Sequence, residues 1–348
     1  MGSRKTVSID GLTIGGNSPV RVESMLKTSL TDIAGCIKEA EILFKDGCEL
    51  VRVSFPDLSV ASYFKKLIES VPIKIMADIH FNHIFALRAL ESGCRSIRIN
   101  PGNMSDKEGL RRVIKLADET ESVIRIGANG GSLNNSQLAA ASGDRAAALV
   151  MAVEEQIHLL HEENFDNIII SAKSSSVTET LRANSILAQR YENPIHIGIT
   201  EAGSGTSGIV KGAVGIGSML QQGIGDTLRV SLTAPGTEEV QAGYSILRAL
   251  DIRRHGYNLI SCPTCGRKRV DVAGLTKLVT EQLPENIRDG LTIAVMGCEV
   301  NGPKEAANAD LGIAGTPDGF VMFSRGHQIC SGKIENLGCE LSKIIKTL

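Results

Sequence analysis

The stretch Lys74-Ile-Met-Ala-Asp-Ile-His80, followed by apolar residues at Phe85, Leu87 and Leu90 and then by Ser96-Ile-Arg-Ile-Asn100, decides the fold. Both short runs are rich in β-branched residues and too brief for helices, while the segment between them has a helix's length and apolar spacing. Strand, helix and strand in that order form a crossover unit, which only parallel neighbours require. The same alternation continues outward in both directions. Further strand-like runs lie at residues 19–24, 49–54, 123–127, 167–172, 195–200 and 227–232, and the intervals carry helical spacings such as Ile33, Ile37, Ala40 and Leu43. Eight such units over roughly 240 residues predict a (β/α)₈ TIM barrel. An open doubly wound sheet is the nearest competitor, but no Gly-x-Gly-x-x-Gly opens a helix after the first strand.

Residues 238–250 read as the last barrel helix and 251–256, polar and ending in Gly256, as a linker. Beyond it the pattern changes. Short strands at 258–261, 292–295, 311–314 and 320–323, with helices near 272–281 and 337–347, predict a small α+β domain. The expected domains are therefore residues 1–250 and 257–348.

A chain of 348 residues that is 42% hydrophobic can bury the core that such a barrel needs. Lys+Arg 37 against Asp+Glu 39 gives a net charge of −2, and aromatic residues are 3% with no Trp. Both facts argue against nucleic acid as a partner, because neither a basic field nor stacking platforms are on offer. The longest apolar run, residues 146–153, is too short to cross a bilayer, and the first residues lack the apolar core of a signal peptide. The expectation is a cytoplasmic protein with no membrane partner.

Polar residues at the carboxyl ends of barrel strands face the active site in this fold. Four predicted strands carry an arginine there, namely Arg52, Arg98, Arg125 and Arg229, and the sixth is followed by Lys173. Five converging cations repel one another unless an anion sits among them. Each charge-assisted bond to phosphate contributes about 1.5–3 kcal/mol, so a doubly phosphorylated small molecule is the expected guest. Asn100, Asn129, Ser171 and Ser231 lie beside those cations as neutral donors. Asp78, His80, Thr200 and Glu201 are candidates for hydrogen-bonding hydroxyl groups and moving protons. Gly203-Ser-Gly-Thr-Ser-Gly208 lacks the Lys-Ser/Thr of a phosphate loop and reads as a flexible barrel loop.

Of the eight cysteines, Cys36, Cys48 and Cys94 lie in apolar surroundings and read as small buried hydrophobes, and Cys330 and Cys339 as structural or surface thiols. Cys262 and Cys265 in Ser261-Cys-Pro-Thr-Cys-Gly-Arg267, with Cys298 in Gly297-Cys-Glu-Val-Asn-Gly-Pro303, look like three anchors of one metal centre. A zinc ribbon needs a second close pair, and a dithiol redox motif belongs at the start of a thioredoxin-like unit. A [4Fe–4S] cluster on three thiolates accounts for the odd number, with its remaining iron open to an oxygen ligand or substrate. Glu305 follows across the Gly302-Pro303 turn and is a candidate for that position.

These two motifs, with Ala77-Asp-Ile-His80, Ile97-Arg-Ile-Asn-Pro-Gly-Asn103, Arg125-Ile-Gly-Ala-Asn129, Ser171-Ala-Lys-Ser174, Ile199-Thr-Glu-Ala-Gly203 and Leu228-Arg-Val-Ser231, resemble in order the 4-hydroxy-3-methylbut-2-enyl diphosphate synthases of the non-mevalonate isoprenoid pathway. The resemblance implies reductive opening of 2-C-methyl-D-erythritol 2,4-cyclodiphosphate to 4-hydroxy-3-methylbut-2-enyl diphosphate. It implies a [4Fe–4S] cluster held by Cys262, Cys265 and Cys298, with Glu305 as fourth ligand until substrate oxygen displaces it. Arg52, Arg98, Arg125, Asn129, Lys173, Arg229 and Ser231 are implied to hold the diphosphate, and His80, Thr200 and Glu201 to lie near the reacting carbons. A homodimer and a reduced flavodoxin or ferredoxin donor are implied as partners. One departure is that Lys304 stands where the family usually has glycine, which is costly if that position needs positive φ.

Overall fold

The computed structural model describes residues 3–80, 82–100, 106–265, 268, 270–284, 287, 289–298 and 309–346. The chain divides into two compact units, residues 1–253 and 254–348, and the division falls within the stretch 251–256.

In the first unit the apolar runs become strands β1 (Arg21–Met25), β2 (Leu50–Ser54), β3 (Lys74–Asp78), β4 (Ser96–Arg98), β5 (Val123–Arg125), β6 (Ile168–Ile169), β7 (His196–Ile197) and β8 (Thr227–Leu228). Each pairs in parallel with the next, and β8 pairs with β1. A parallel bridge between Ile170 and Ile195 joins β6 to β7, so the ring of eight closes. Helices cover it with faces set by sequence spacing. The helix Ile33–Lys45, capped by the Asp32 carboxylate accepting from Gly35 N, buries Cys36, Ala40 and Leu43. Burying a leucine such as Leu43 contributes about 1.5–3 kcal/mol, so Leu43→Ala is expected to loosen that helix.

Side-chain alternation explains how one barrel interior is apolar below and charged above. Leu50, Met76 and Val123 each precede by two residues Arg52, Asp78 and Arg125, so each pair points to the same face of its strand. The lower residues pack against Val7, Ile9 and Ile14 of an antiparallel hairpin, Thr6–Ile9 with Leu12–Gly15, which plugs the end opposite the charges. That hairpin, absent from the expected elements, turns on Asp10 and Gly11 at φ 47° and 84°, as a two-residue hairpin with right-handed twist requires.

Above the regular ladder a second short parallel pair joins Ala128–Asn129 to Ala172–Lys173. Gly127 permits it, because a β-carbon there would lie 2.5 Å from the Ser171 carbonyl oxygen. Residues from Gly205 onward belong to the helix Gly205–Gln221, which corrects the expectation of a loop through 203–208. The helical pattern was hidden by six glycines between 203 and 217 that interrupt any propensity signal.

The second unit is a sheet in sequence order: β9 (Asn258–Ser261), β10 (Thr292–Met296), β11 (Leu311–Thr316), β12 (Gly319–Ser324) and β13 (His327–Gly332). The first three run parallel and the last two pairings are antiparallel. Its core joins Ile293, Val295, Ile313 and Met322 to Leu275 and Val279 of the helix Val272–Gln282 and to Leu337 and Leu341 of the helix Leu337–Ile345. Strand β13 was not expected, since its largely exposed, polar residues carry no buried face to read. Among the described residues no helix is long and apolar enough to cross a membrane.

Candidate active site

The charged side chains at the barrel mouth are held by buried carboxylates. Asp78, at the end of β3, sits between two cations: Arg52 Nε is 3.3 Å from its Oδ2, and Arg98 Nη1 donates to its Oδ1 at 3.2 Å. Arg229 lies against Glu239, with Nη2 3.2 Å from Oε1. Glu239 is itself buried and also accepts from the Ser24 hydroxyl at 3.0 Å and from Leu232 N at 3.1 Å. Arg125, only 2% exposed, donates from Nη1 to Oε2 of Glu23, which is wholly buried on β1. Met25 lies between two of these groups, its sulfur 3.2 Å from Arg52 Nη2 and 4.0 Å from Arg229 Nη1. The four arginines therefore face the barrel interior, not its outer surface.

Electrostatics ties the cluster together. Burial alone would raise Asp78, but Arg52, Arg98, His80 and Arg125 hold its carboxyl below the usual range. Asp78 thus serves as the counter-charge of Arg52 and Arg98. Burial first, then the charges of Arg52, Arg125 and Arg98, push the Lys173 ammonium well below its ordinary value. Burial, then the charges of Arg125, Lys173, Arg52 and Arg229, push His196 well below the usual imidazole value. The His196 ring is neutral, with Nδ1 2.8 Å from the Thr227 hydroxyl and 3.6 Å from Glu23 Oε2. An anion placed among these groups would relieve the mutual repulsion of Lys173 and the arginines.

The other candidates lie around this cluster. Asn129 pairs in register with Lys173 across the short upper ladder. His80 is half exposed, its Nε2 3.8 Å from Asp78 Oδ2. Thr200 and Glu201 follow β7, and Glu201 is held at φ 53°, a left-handed conformation uncommon outside glycine that concentrates at functional turns. Ser231 lies two residues beyond Arg229 on the exit of β8. Ser171 is corrected as a phosphate donor, because its hydroxyl donates to the His196 carbonyl at 3.0 Å inside the wall. Glu23 and Glu239 were missed by sequence reasoning. A charged residue inside the apolar run of β1 was the available signal for Glu23; Glu239, in the first turn of the helix Gly236–Ala249, looks from sequence like an ordinary acidic helix start.

In the second unit the three cysteines gather at one edge. Strands β9 and β10 are parallel neighbours with Ser261 opposite Val295, and Cys262 N donates to the Val295 carbonyl at 2.9 Å. Cys262 and Cys298 therefore leave the sheet at the same carboxyl edge, and Cys265 follows after a turn through Thr264 at φ 67°. Cys298 is buried, Cys262 half-buried against Met296 and Phe323, and Cys265 exposed; none is disulfide-bonded. Among the described residues no three His, Cys, Asp or Glu side chains stand close enough to share one metal ion. The thiolates of a cubane bind different irons and so stand further apart than the ligands of a single ion. The donor type and the shared edge fit such a cluster. Glu305 and Lys304 lie outside the described residues.

A closed parallel barrel with a cation-rich mouth defines a TIM-barrel protein whose mouth is complementary in charge to an anion. The family description "GcpE TIM-barrel domain" matches residues 4–244, and "GcpE protein C-terminal domain" matches residues 258–347. The chain belongs to the GcpE family. It is 43% identical over 327 residues to a 4-hydroxy-3-methylbut-2-en-1-yl diphosphate synthase (flavodoxin) of Lawsonia intracellularis, covering 94% of this chain and 91% of the relative. It is 41% identical over 344 residues to the enzyme of the same name from Caldanaerobacter subterraneus subsp. tengcongensis, covering 99% and 97%. Among solved structures, dihydropteroate synthase from Yersinia pestis superposes with a TM-score of 0.51 at 11% identity, over 72% of this chain and 100% of that one. That likeness concerns the barrel fold alone.

Proposed function

We propose that this chain is an oxidoreductase that converts 2-C-methyl-D-erythritol 2,4-cyclodiphosphate to 4-hydroxy-3-methylbut-2-enyl diphosphate in isoprenoid precursor synthesis. The family membership and the names of relatives at 40–43% identity support that activity. The observation that carries it here is the barrel mouth, where Arg52, Arg98, Arg125 and Arg229 are ion-paired to buried carboxylates and Lys173 lies within their electrostatic reach.

The conversion cleaves one carbon–oxygen bond to phosphate and one carbon–hydroxyl bond and forms a carbon–carbon double bond. Two electrons and one proton enter, and water leaves with the fully ionised open diphosphate. Arg52, Arg98, Arg125, Lys173 and Arg229 bind the phosphate oxygens, with Asn129 and Ser231 as neutral donors. The ion pairs with buried carboxylates keep the four arginines in place before substrate arrives, so little reorganisation is needed on binding. His80 and Thr200 orient the hydroxyl-bearing carbons. Glu201 supplies the proton to the departing hydroxyl, on a turn whose left-handed backbone fixes its direction.

A [4Fe–4S] cluster on Cys262, Cys265 and Cys298, with Glu305 at its remaining iron, would supply the electrons one at a time. Reduced flavodoxin is the donor suggested by the relatives' names, with ferredoxin as the alternative. The family resemblance further supports a cytoplasmic homodimer in which the second domain of one chain serves the barrel of the other. Iron and acid-labile sulfide measured on protein purified without oxygen test the cofactor: about four of each per chain are expected. Zinc without sulfide, after attempted reconstitution, would overturn the redox reading.

A further inference from the structure

We infer that Glu23 and Glu239 set the charge of the mouth to match a dianion, and so determine which diphosphate the barrel prefers. This inference rests on the proposed activity and deepens it. Neither residue is needed as a phosphate contact, since a carboxylate repels phosphate, yet both are buried beside the arginines that are.

The charges can be counted from the contacts. Asp78 neutralises one of the pair Arg52 and Arg98. Glu239 is paired with Arg229, and Glu23 with Arg125. With Lys173 in its charged form, five cations face three buried carboxylates, leaving an excess of two positive charges. The two outer charges, Lys27 against Glu239 and the exposed Glu201 after β7, are of opposite sign and offset one another. A cyclic diphosphate has one ionised oxygen on each phosphorus and carries two negative charges. Inorganic pyrophosphate and open diphosphate esters have a terminal phosphate that ionises again near neutrality, and so carry more.

Two further observations agree. Glu23 Oε1 and Arg125 Nη2 are buried without hydrogen-bond partners among the described residues, so the Glu23–Arg125 pair is held by a single contact and is not saturated. Lys173 has its charge suppressed by burial and by the arginines, so part of the positive excess is created only when an anion enters. Such a site responds to the charge of its guest as well as to its shape.

Glu23→Gln keeps an oxygen for Arg125 and removes one negative charge. Binding of the cyclodiphosphate and of inorganic pyrophosphate, measured by calorimetry in metal-free buffer at pH 8 on cluster-loaded wild type and variant, reads the effect. Pyrophosphate is expected to tighten roughly five- to tenfold more than the cyclodiphosphate, the effect of one added charge several ångströms away in a partly screened site. Equal factors for both ligands, or no change in either, would overturn the charge-matching role while leaving the proposed activity intact. Failure of the wild type to bind the cyclodiphosphate would overturn the activity and this inference together. Should Glu23→Gln fold poorly, Glu239→Gln is expected to shift the same ratio in the same direction, and an unchanged ratio there counts equally against the inference.

Discussion

The barrel mouth and the thiol edge solve opposite problems. At the mouth, like charges must be kept together without substrate, and the chain does so by burying Asp78, Glu23 and Glu239 among the cations on short strand ends and a helix start. At the edge of the second sheet three cysteines need only be brought near one another, and backbone does the work: a ladder bond at Cys262, a left-handed turn at Thr264 and a bond from Lys268 N to the Cys265 carbonyl at 3.0 Å. Side-chain ion pairs order the barrel mouth, whereas main-chain geometry orders the cysteine edge. Losses at the mouth should therefore be graded, and losses at the edge all-or-none.

Cys265→Ser is the sharpest break in that comparison. It should abolish the cluster's visible absorption and all turnover while the circular dichroism of the barrel is retained. A variant with full activity would refute the assignment of Cys265 to the cluster. Arg125→Ala should leave the cluster spectrum unchanged and raise KM by about 10²-fold or more, since truncating one partner of a buried charge pair costs about 2–5 kcal/mol of binding. The same change strands Glu23 in the core and should lower barrel stability by about 3–5 kcal/mol in denaturant titrations. An unchanged KM would count against the phosphate clamp.

A smaller effect distinguishes the regions by pH. His196 is buried neutral, so below the ordinary imidazole value of 6.5 the unfolded chain takes up a proton that the native barrel refuses. Stability of the barrel should fall as pH drops from 7 to 5, by up to about 2 kcal/mol, and His196→Gln should flatten the slope. The smallest effect is expected at Thr264. A β-branched residue at φ 67° is strained, so Thr264→Gly should raise the midpoint of unfolding of the second domain by the equivalent of about 1 kcal/mol. A lower midpoint would show that the threonine side chain makes a contact worth more than the strain.

Much of this was legible in the amino-acid sequence, for reasons that differ along the chain. The barrel strands announce themselves because both faces of a parallel sheet are covered, which leaves short apolar runs such as residues 75–77 within Lys74–Asp78. The arginines were legible as a set because each lies within or just after the carboxyl half of such a run. Their partners were not, since the Arg125–Glu23 contact spans 102 residues of chain and nothing local at either end encodes it. Ser171 illustrates the same limit in reverse: its position beside Lys173 suggested phosphate, and only closure of the ring revealed the His196 carbonyl as its acceptor. Asp10-Gly11 is a recognisable hairpin turn, but its strands span four residues each and become meaningful only as the plug of an already closed barrel. The Cys262–Cys265 pair was legible from its spacing, while the placement of Cys298 at the same sheet edge required the parallel pairing of β9 and β10.

The cation-rich barrel and the three thiols are expected to serve one reductive reaction. Protein purified without oxygen and loaded with iron and sulfide, given the cyclodiphosphate and a measured quantity of chemical reductant, tests it directly. Two electrons consumed for each 4-hydroxy-3-methylbut-2-enyl diphosphate formed is the expected result. Product formed without reductant, or none formed by fully loaded protein that binds the cyclodiphosphate, would contradict it.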